Sequence, residues 1–364
     1  MGQDTGALGK VSSQIVGVDI LRFCAALMVM IYHLAFWSWH ANGTAHKVIG
    51  SPYNYFDAAP YAWFGWIGVQ IFFVISGLVI PITAATSTPS CFLRNRISRL
   101  FPTILICSTI SFVLLSILGL QDFAKYVRAL LILPYGPWLD GVYWTLTVEV
   151  VFYGLVWLQL LLFPNRTNAL IIGIGLASSA YWLLFAFGAP QAIALEDTRH
   201  VQMLLLAHGC HFAIGGMIWL ISSNGWKLDR GLLLMLFVLA GGINIATESD
   251  GNDAAPLSIW AVALAAIILS AMARRPVKWQ GIARVIGLLT FPLYLLHNVF
   301  GALVMRLFLP NYPWLALAAG MMGSILLALL VLRFEPYVRS VLGYVLHVLF
   351  PSWHAPVLRP KMAD

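Results

Sequence analysis

The stretch Val16–Phe36 reads VGVDILRFCAALMVMIYHLAF. It is apolar and long enough to cross a bilayer as a helix, which takes about 20 residues. It also carries Asp19, Arg22 and His33, each of which is expensive in hydrocarbon. The rest of the chain gives that conflict its meaning. Of 364 residues, 60% are apolar and 10% are charged, far too little polar surface to enclose a water-soluble core. The composition therefore points to an all-α polytopic membrane protein.

Apolar runs long enough to span recur about ten times, centred on Ala26, Phe73, Ser111, Phe152, Gly175, Ala213, Val238, Leu264, Leu296 and Ala319. The first run is too long for a signal-peptide core and lacks a small-residue cleavage site, so it is expected to stay as the first helix. Placing the loops alternately on two sides separates the basic residues. One side collects Lys10, Arg94, Arg96, Arg99, Arg166, Lys227, Arg230, the group Arg274, Arg275, Lys278 and Arg284, and the basic residues of the C-terminal tail. The other receives Lys47, Lys125, Arg128, Arg199 and Arg306. By the positive-inside rule the first side is cytoplasmic, both termini lie there and the number of spans is even. The formal charge of +7 thus serves orientation, and nucleic-acid binding is discounted. Residues 1–14 read as a cytoplasmic segment, 15–334 as one transmembrane domain, and 335–364 as a cytoplasmic tail whose apolar stretch SVLGYVLHVLFPSW suits an interfacial helix. The longest non-spanning stretches, about 37–61 and 121–142, fall on the outer side. Cys24, Cys91, Cys107 and Cys210 show no CxxC spacing and read as packing residues.

Arg22 and His33 lie eleven positions apart, so they share one helix face about 16 Å apart along the axis. Asp19 can pair with Arg22 and draw it to the inner interface, which leaves His33 unexplained. In the fourth span, YWTLTVEVVFYG sets Glu149 with Thr145 and Tyr153 a turn to either side. The sixth enters as LLLAHGCHFAIGG with His208 and His211, and the ninth holds Tyr294 and His297 just after Pro292, which should break or kink its helix. With the topology above, His33, Glu149, His208 and His297 fall at similar depth, which implies a polar cavity in the outer half of the bilayer. Such groups suit general acid–base chemistry and equally suit proton-coupled transport. No metal-ligand spacing is present. On the cytoplasmic side, CFLRNRISRLFP gathers Arg94, Arg96 and Arg99, which can set topology or grip phosphates bidentately.

Five of these stretches occur in one order: DILRFCAALMVMIYH with its Arg-x10-His spacing, GVQIFFVISGLVI, FLRNRISRLFPT, YWTLTVEVVFYG and PLYLLHNVF. Together they resemble the membrane-bound acyltransferase 3 family over nearly the whole chain. The resemblance implies a ten-helix core and transfer of an acyl group, most often acetyl, from cytoplasmic acyl-CoA as co-substrate, with no tightly bound cofactor. The acceptor hydroxyl would belong to a carbohydrate, glycolipid or macrolide reached from outside an inner, cytoplasmic membrane. By motif position it implies that Arg22 and His33 are essential, that Arg96 and Arg99, with Arg94 beside them, serve the donor, and that Glu149 belongs to the site. His33 is then the expected base or acyl carrier, with Glu149 assisting by orientation or proton handling. Asp19, Ser76, Tyr153, Tyr294, His297, His208 and His211 are further cavity candidates. Ser76 is given no nucleophile role, because no base lies within helical reach in its own span. The rival reading is a proton-coupled transporter or flippase of a glycan or lipid, which would use the same buried His and Glu without consuming acyl-CoA.

Overall fold

The computed structural model describes residues 15–39, 43–50, 57–189, 198–249, 251–273 and 279–349, and the described residues are helical with no strand. The long helices are α1 (Val16–Ile31), α2 (Ile67–Ala84), α3 (Pro89–Ile117), α4 (Tyr143–Leu162), α5 (Thr167–Ala186), α6 (Gly209–Asn224), α7 (Leu228–Glu248), α8 (Ala254–Met272), α9 (Gln280–Arg306) and α10 (Pro313–Leu349). Nine segments among the described residues are long and apolar enough to cross a membrane. Large apolar side chains such as Leu162, Phe187, Leu269, Met272 and Leu326 are exposed, as a lipid-facing surface requires. This is a polytopic membrane protein.

The expected sixth span is α6, and it is short. Its 16 residues rise only about 24 Å. Leu205, at φ +58°, turns the chain away, so the residues before it form a separate short helix, Arg199–Met203. From Gly209 to Ile218 every residue of α6 is buried, and the helix packs against α2, α5 and α7. A Cβ on Gly77 of α2 would lie 1.9 Å from the Phe212 carbonyl oxygen, and one on Gly215 of α6 would lie 1.9 Å from that of Val74. The two backbones therefore touch, the contact that small residues permit between helices in lipid.

One expectation from the sequence needs revision: Pro292 does not break its helix. Helix α9 runs unbroken through Pro292 for 27 residues, its neighbours packed deeply enough to hold the turn that lacks an N–H. Helix α10 likewise continues through Pro336 to Leu349, so the apolar stretch after the last span is helical as far as residue 349. The Arg339–Glu335 ion pair at 2.6 Å bridges the turn that Pro336 weakens. At the other end, Thr88 caps α3 by accepting the Cys91 N–H, with Pro89 at the first position, which sets Arg94, Arg96 and Arg99 in the opening turns of that helix. Cys107 and Cys210 are buried packing residues, whereas Cys24 is exposed.

Gly215→Ala is expected to lower the thermal midpoint of the detergent-solubilised protein, since overpacking a tight contact costs about 1–3 kcal/mol. Beside Gly154 a Cβ meets nothing within 4 Å, so Gly154→Ala should leave the midpoint unchanged or raise it. Equal midpoints for both variants would contradict backbone contact between α2 and α6.

Candidate active site

The α-helical turns of α1 stop at Ile31; Tyr32–Phe36 form a π turn and Trp37–Trp39 a 3-10 turn. His33 sits in that π turn, a distortion that recurs at functional sites because it redirects side chains out of register. The Ser38 hydroxyl donates to the His33 carbonyl, and His46 Nδ1 lies 3.1 Å from the Ser38 carbonyl oxygen, so the short helix Thr44–Ile49 braces the turn.

Across from it stands His297 of α9, fully buried. Its Nδ1 lies 3.2 Å from the Leu293 carbonyl oxygen, which can only accept, so Nδ1 carries the proton. Nε2 of the neutral ring then accepts, and it lies 3.0 Å from His33 Nδ1. His33 Nδ1 is therefore the donor, in agreement with its 3.0 Å approach to the Val29 carbonyl oxygen. One N–H is shared between two acceptors. The outcome is a defined tautomer in which His33 Nε2 keeps its lone pair, on a side chain that is only partly buried.

A second group forms toward the opposite end of the bundle, in a cavity of about 110 Å³ lined by Arg22, Arg96, Arg99, Ser76, Glu149 and Tyr153, with Thr145 and Tyr294. Glu149 accepts from the Ser76 hydroxyl at 2.6 Å and the Tyr153 hydroxyl at 2.5 Å. Arg96 is buried, bonds to the Thr83 hydroxyl, and lies over the rings of Phe92 and Tyr153 at 5.3 and 5.4 Å. Arg22 pairs with Asp19 at 3.8 Å, as the i, i+3 spacing anticipates, and Asp19 rests where a Cβ on Gly287 would otherwise stand. With Asp19 beside Arg22 and Glu149 on the wall, three guanidinium groups face two carboxylates, and the remaining positive charge suits an anionic ligand. Its walls are otherwise apolar, with Val69, Phe72, Phe73 and Ile80.

The two groups meet through one contact. The Thr145 and Tyr294 hydroxyls are 2.7 Å apart, and the Tyr294 ring lies 5.8 Å from that of His297. Thr145 stands a turn before Glu149, and Tyr294 a turn before His297. The hydrogen-bond partner of the His33 imidazole is His297, and Glu149, expected to assist His33 by orientation or proton handling, is held by Ser76 and Tyr153. Ser76, which has no base in its own helix, receives a carboxylate from 73 residues away. Arg94 does not line the arginine cavity, and neither His208 nor His211 does. His208 is packed between Phe73 and Trp144, at ring distances of 5.1 and 5.3 Å, with both nitrogens unpartnered. His211 bonds to Asn244 at 2.9 Å and meets the edge of Trp260.

The sequence reading missed Asp140, in the segment before α4. It is fully buried, and its Oδ1 accepts from Asn298 Nδ2 at 2.6 Å. Asp140 Oδ2 and Asn298 Oδ1 have no partner. Asn298 follows His297, so this carboxylate ties the segment entering α4 to the histidine helix. The only sequence signal was an acid in an otherwise uncharged stretch, PYGPWLDGVYW.

Residues 15–333 match the family model described as an acyltransferase domain. The chain belongs to the acyltransferase 3 family. It is also similar to nodulation protein 10 of Rhizobium leguminosarum bv. viciae, at 26% identity over 291 residues that cover 70% of this chain and 74% of the relative. No solved structure matches. Membership decides between the two readings that residue chemistry left open. This member of the acyltransferase 3 family is an enzyme that transfers acyl groups, embedded in a membrane by multiple spans.

Burial pushes the Asp140 carboxyl up to about 6. A carboxyl whose native value exceeds its unfolded one of about 3.9 makes the native state bind the extra proton, so its contribution to stability falls as pH rises through 6. Asp140→Asn keeps an oxygen for Asn298 and removes the titration. Thermal midpoints of the two proteins should therefore diverge on going from pH 5 to pH 8, the wild type losing more; parallel curves would contradict a buried, titrating Asp140.

Proposed function

We propose that this acyltransferase moves an acyl group, most simply acetyl, from acyl-CoA in the cytoplasm to a hydroxyl of a carbohydrate or glycoconjugate acceptor reached from the far side of an inner, cytoplasmic membrane. The observation that carries the reading is the pairing of an arginine-lined cavity with a histidine whose Nε2 lone pair is left free by a fixed tautomer. The donor's phosphates suit Arg22, Arg96 and Arg99, and its extended arm suits the apolar walls. The thioester would then approach the Thr145–Tyr294 contact. His33 Nε2 takes the proton of the acceptor hydroxyl as the oxygen bonds to the thioester carbonyl carbon; the carbon–sulfur bond breaks, and the departing thiolate recovers the proton from His33. His297 holds the ring that does this. Glu149 holds Tyr153, and through its ring Arg96, on the donor side. A macrolide or glycolipid acceptor would need no change in this chemistry.

His33→Ala should lower kcat by about 10²–10⁴-fold, the usual worth of a positioned acid–base group, while acyl-CoA still binds. Thiol release from acyl-CoA by the purified variant measures it, and normal turnover would remove His33 from the mechanism. Replacing Arg96 and Arg99 by Ala should weaken donor binding more than acceptor binding, with Lys restoring only part because an ammonium lacks the fork.

Sidedness provides a separate test. In sealed inside-out vesicles, externally added acyl-CoA should acylate an acceptor trapped in the lumen, and right-side-out vesicles given external acyl-CoA should not. Transfer requiring both substrates on the cytoplasmic side would overturn the trans-bilayer route.

A further inference from the structure

At the end of the bundle opposite the arginines lies a second, larger cavity, about 710 Å³, whose walls include Thr44, Lys47, Trp138, Trp144 and Gln202. Its size falls within the ordinary range for a small-molecule site. Its walls come from the short helix Thr44–Ile49, the helix Phe123–Leu130 and the segment leading into α4, all within the two long non-spanning stretches that loop charges assign to the outer side, together with the end of α3, Trp144 at the start of α4 and Gln202. Lys47 is exposed, Trp144 is half-buried, and Lys125 pairs with Asp122 on the wall at 3.3 Å. An indole beside charged and amide groups suits a ligand with an apolar face and a hydroxyl-rich edge. A pyranose ring has that form.

The cavity adjoins both polar groups through short chains of neighbouring residues. Trp144 on its wall is followed by Thr145, whose hydroxyl meets Tyr294 on the wall of the arginine cavity. Thr44 on the wall opens the short helix that packs against α9, and Gly141 on the wall follows Asp140, whose carboxylate accepts from Asn298, the neighbour of His297. Gly141 also lines the cavity, and a Cβ there would meet nothing within 4 Å, so the space beside it is open.

Resting on the acyl-transfer reading above, we propose that this cavity is the acceptor site: it receives a pyranose ring against Trp144, with ring hydroxyls on Lys47 and Gln202 and the hydroxyl to be acylated directed toward the histidine pair. The aromatic wall sets the orientation. Two cavities on either side of the Thr145–Tyr294 contact then give donor and acceptor separate entrances to one reaction centre.

The test uses the full chain in detergent, with N-acetylglucosamine, methyl β-glucopyranoside and methyl α-mannopyranoside as probes and acetyl-CoA as donor. Trp144→Ala removes the indole and Gly141→Trp fills the open space; each should raise the acceptor KM about tenfold with the donor KM unchanged. Trp144→Phe should recover part of the loss. A binding measurement that needs no turnover runs beside it: the Gly141→Cys variant, with Cys24 and Cys91 changed to serine, is alkylated by a membrane-impermeant maleimide. At least one sugar should slow that labelling about fivefold or more, and adding Trp144→Ala should abolish the protection. If acetyl transfer proceeds but neither Trp144→Ala nor Gly141→Trp changes the acceptor KM, the cavity is not the acceptor site and the enzyme reading stands. If the sugars protect the introduced thiol yet no thiol is released from acetyl-CoA, the site binds pyranoses and the acyl-CoA reading is the one that fails. Labelling unaffected by every sugar overturns the proposal.

Discussion

The 3.0 Å hydrogen bond between His33 and His297 is the constraint around which this bundle is organised. Its direction is set at both ends by main-chain carbonyls, Val29 on one helix and Leu293 on the other, so neither ring can turn over without losing a bond in a low-dielectric interior. For the bond to form, α1 must abandon its regular repeat just before His33, and α9 must stay helical through Pro292. A distortion on one helix and continuity on the other bring two imidazoles from opposite ends of the sequence together.

The remaining polar groups are arranged on either side of this pair. Toward one end, Arg22, Arg96 and Arg99 confer positive charge on a cavity where Glu149 is already committed to Ser76 and Tyr153. Toward the other, Asp140 fastens the segment entering α4 to α9 beside His297. Between them stands a single pair of hydroxyls, Thr145 and Tyr294. In the proposed reaction the substrates come from two sides and need separate entrances and a shared centre, and a thin polar contact between two cavities would meet that need without opening a water path.

Such closeness in a membrane cannot come from the hydrophobic effect between helices, since lipid is as apolar as a leucine. Here it comes from backbone contact at Gly77 and Gly215, which fixes α2 against the buried α6. Ser76 is the neighbour of Gly77, so the contact that sets the helix spacing also determines where the hydroxyl meets Glu149. Packing and site share the same residues.

By itself the sequence determined the solvent, the helices and the candidate groups. Apolar runs near 20 residues leave a chain no choice but membrane-spanning helices, because backbone groups in lipid must bond within their own segment. The Arg22 to His33 spacing, the Arg96 and Arg99 pair and Glu149 in its span were all legible as charges where charges are costly. Only the tertiary structure decided who pairs with whom. It gave His33 a histidine as its hydrogen-bond partner, gave Glu149 a serine from another helix, and set His208 and His211 among aromatic rings away from the arginine cavity. Asp140 escaped notice because nothing local distinguishes a buried loop acid from a solvated one. Helical periodicity assigns each residue a face, but which faces meet depends on close approach between backbones, and that is settled by contacts between residues far apart in the chain.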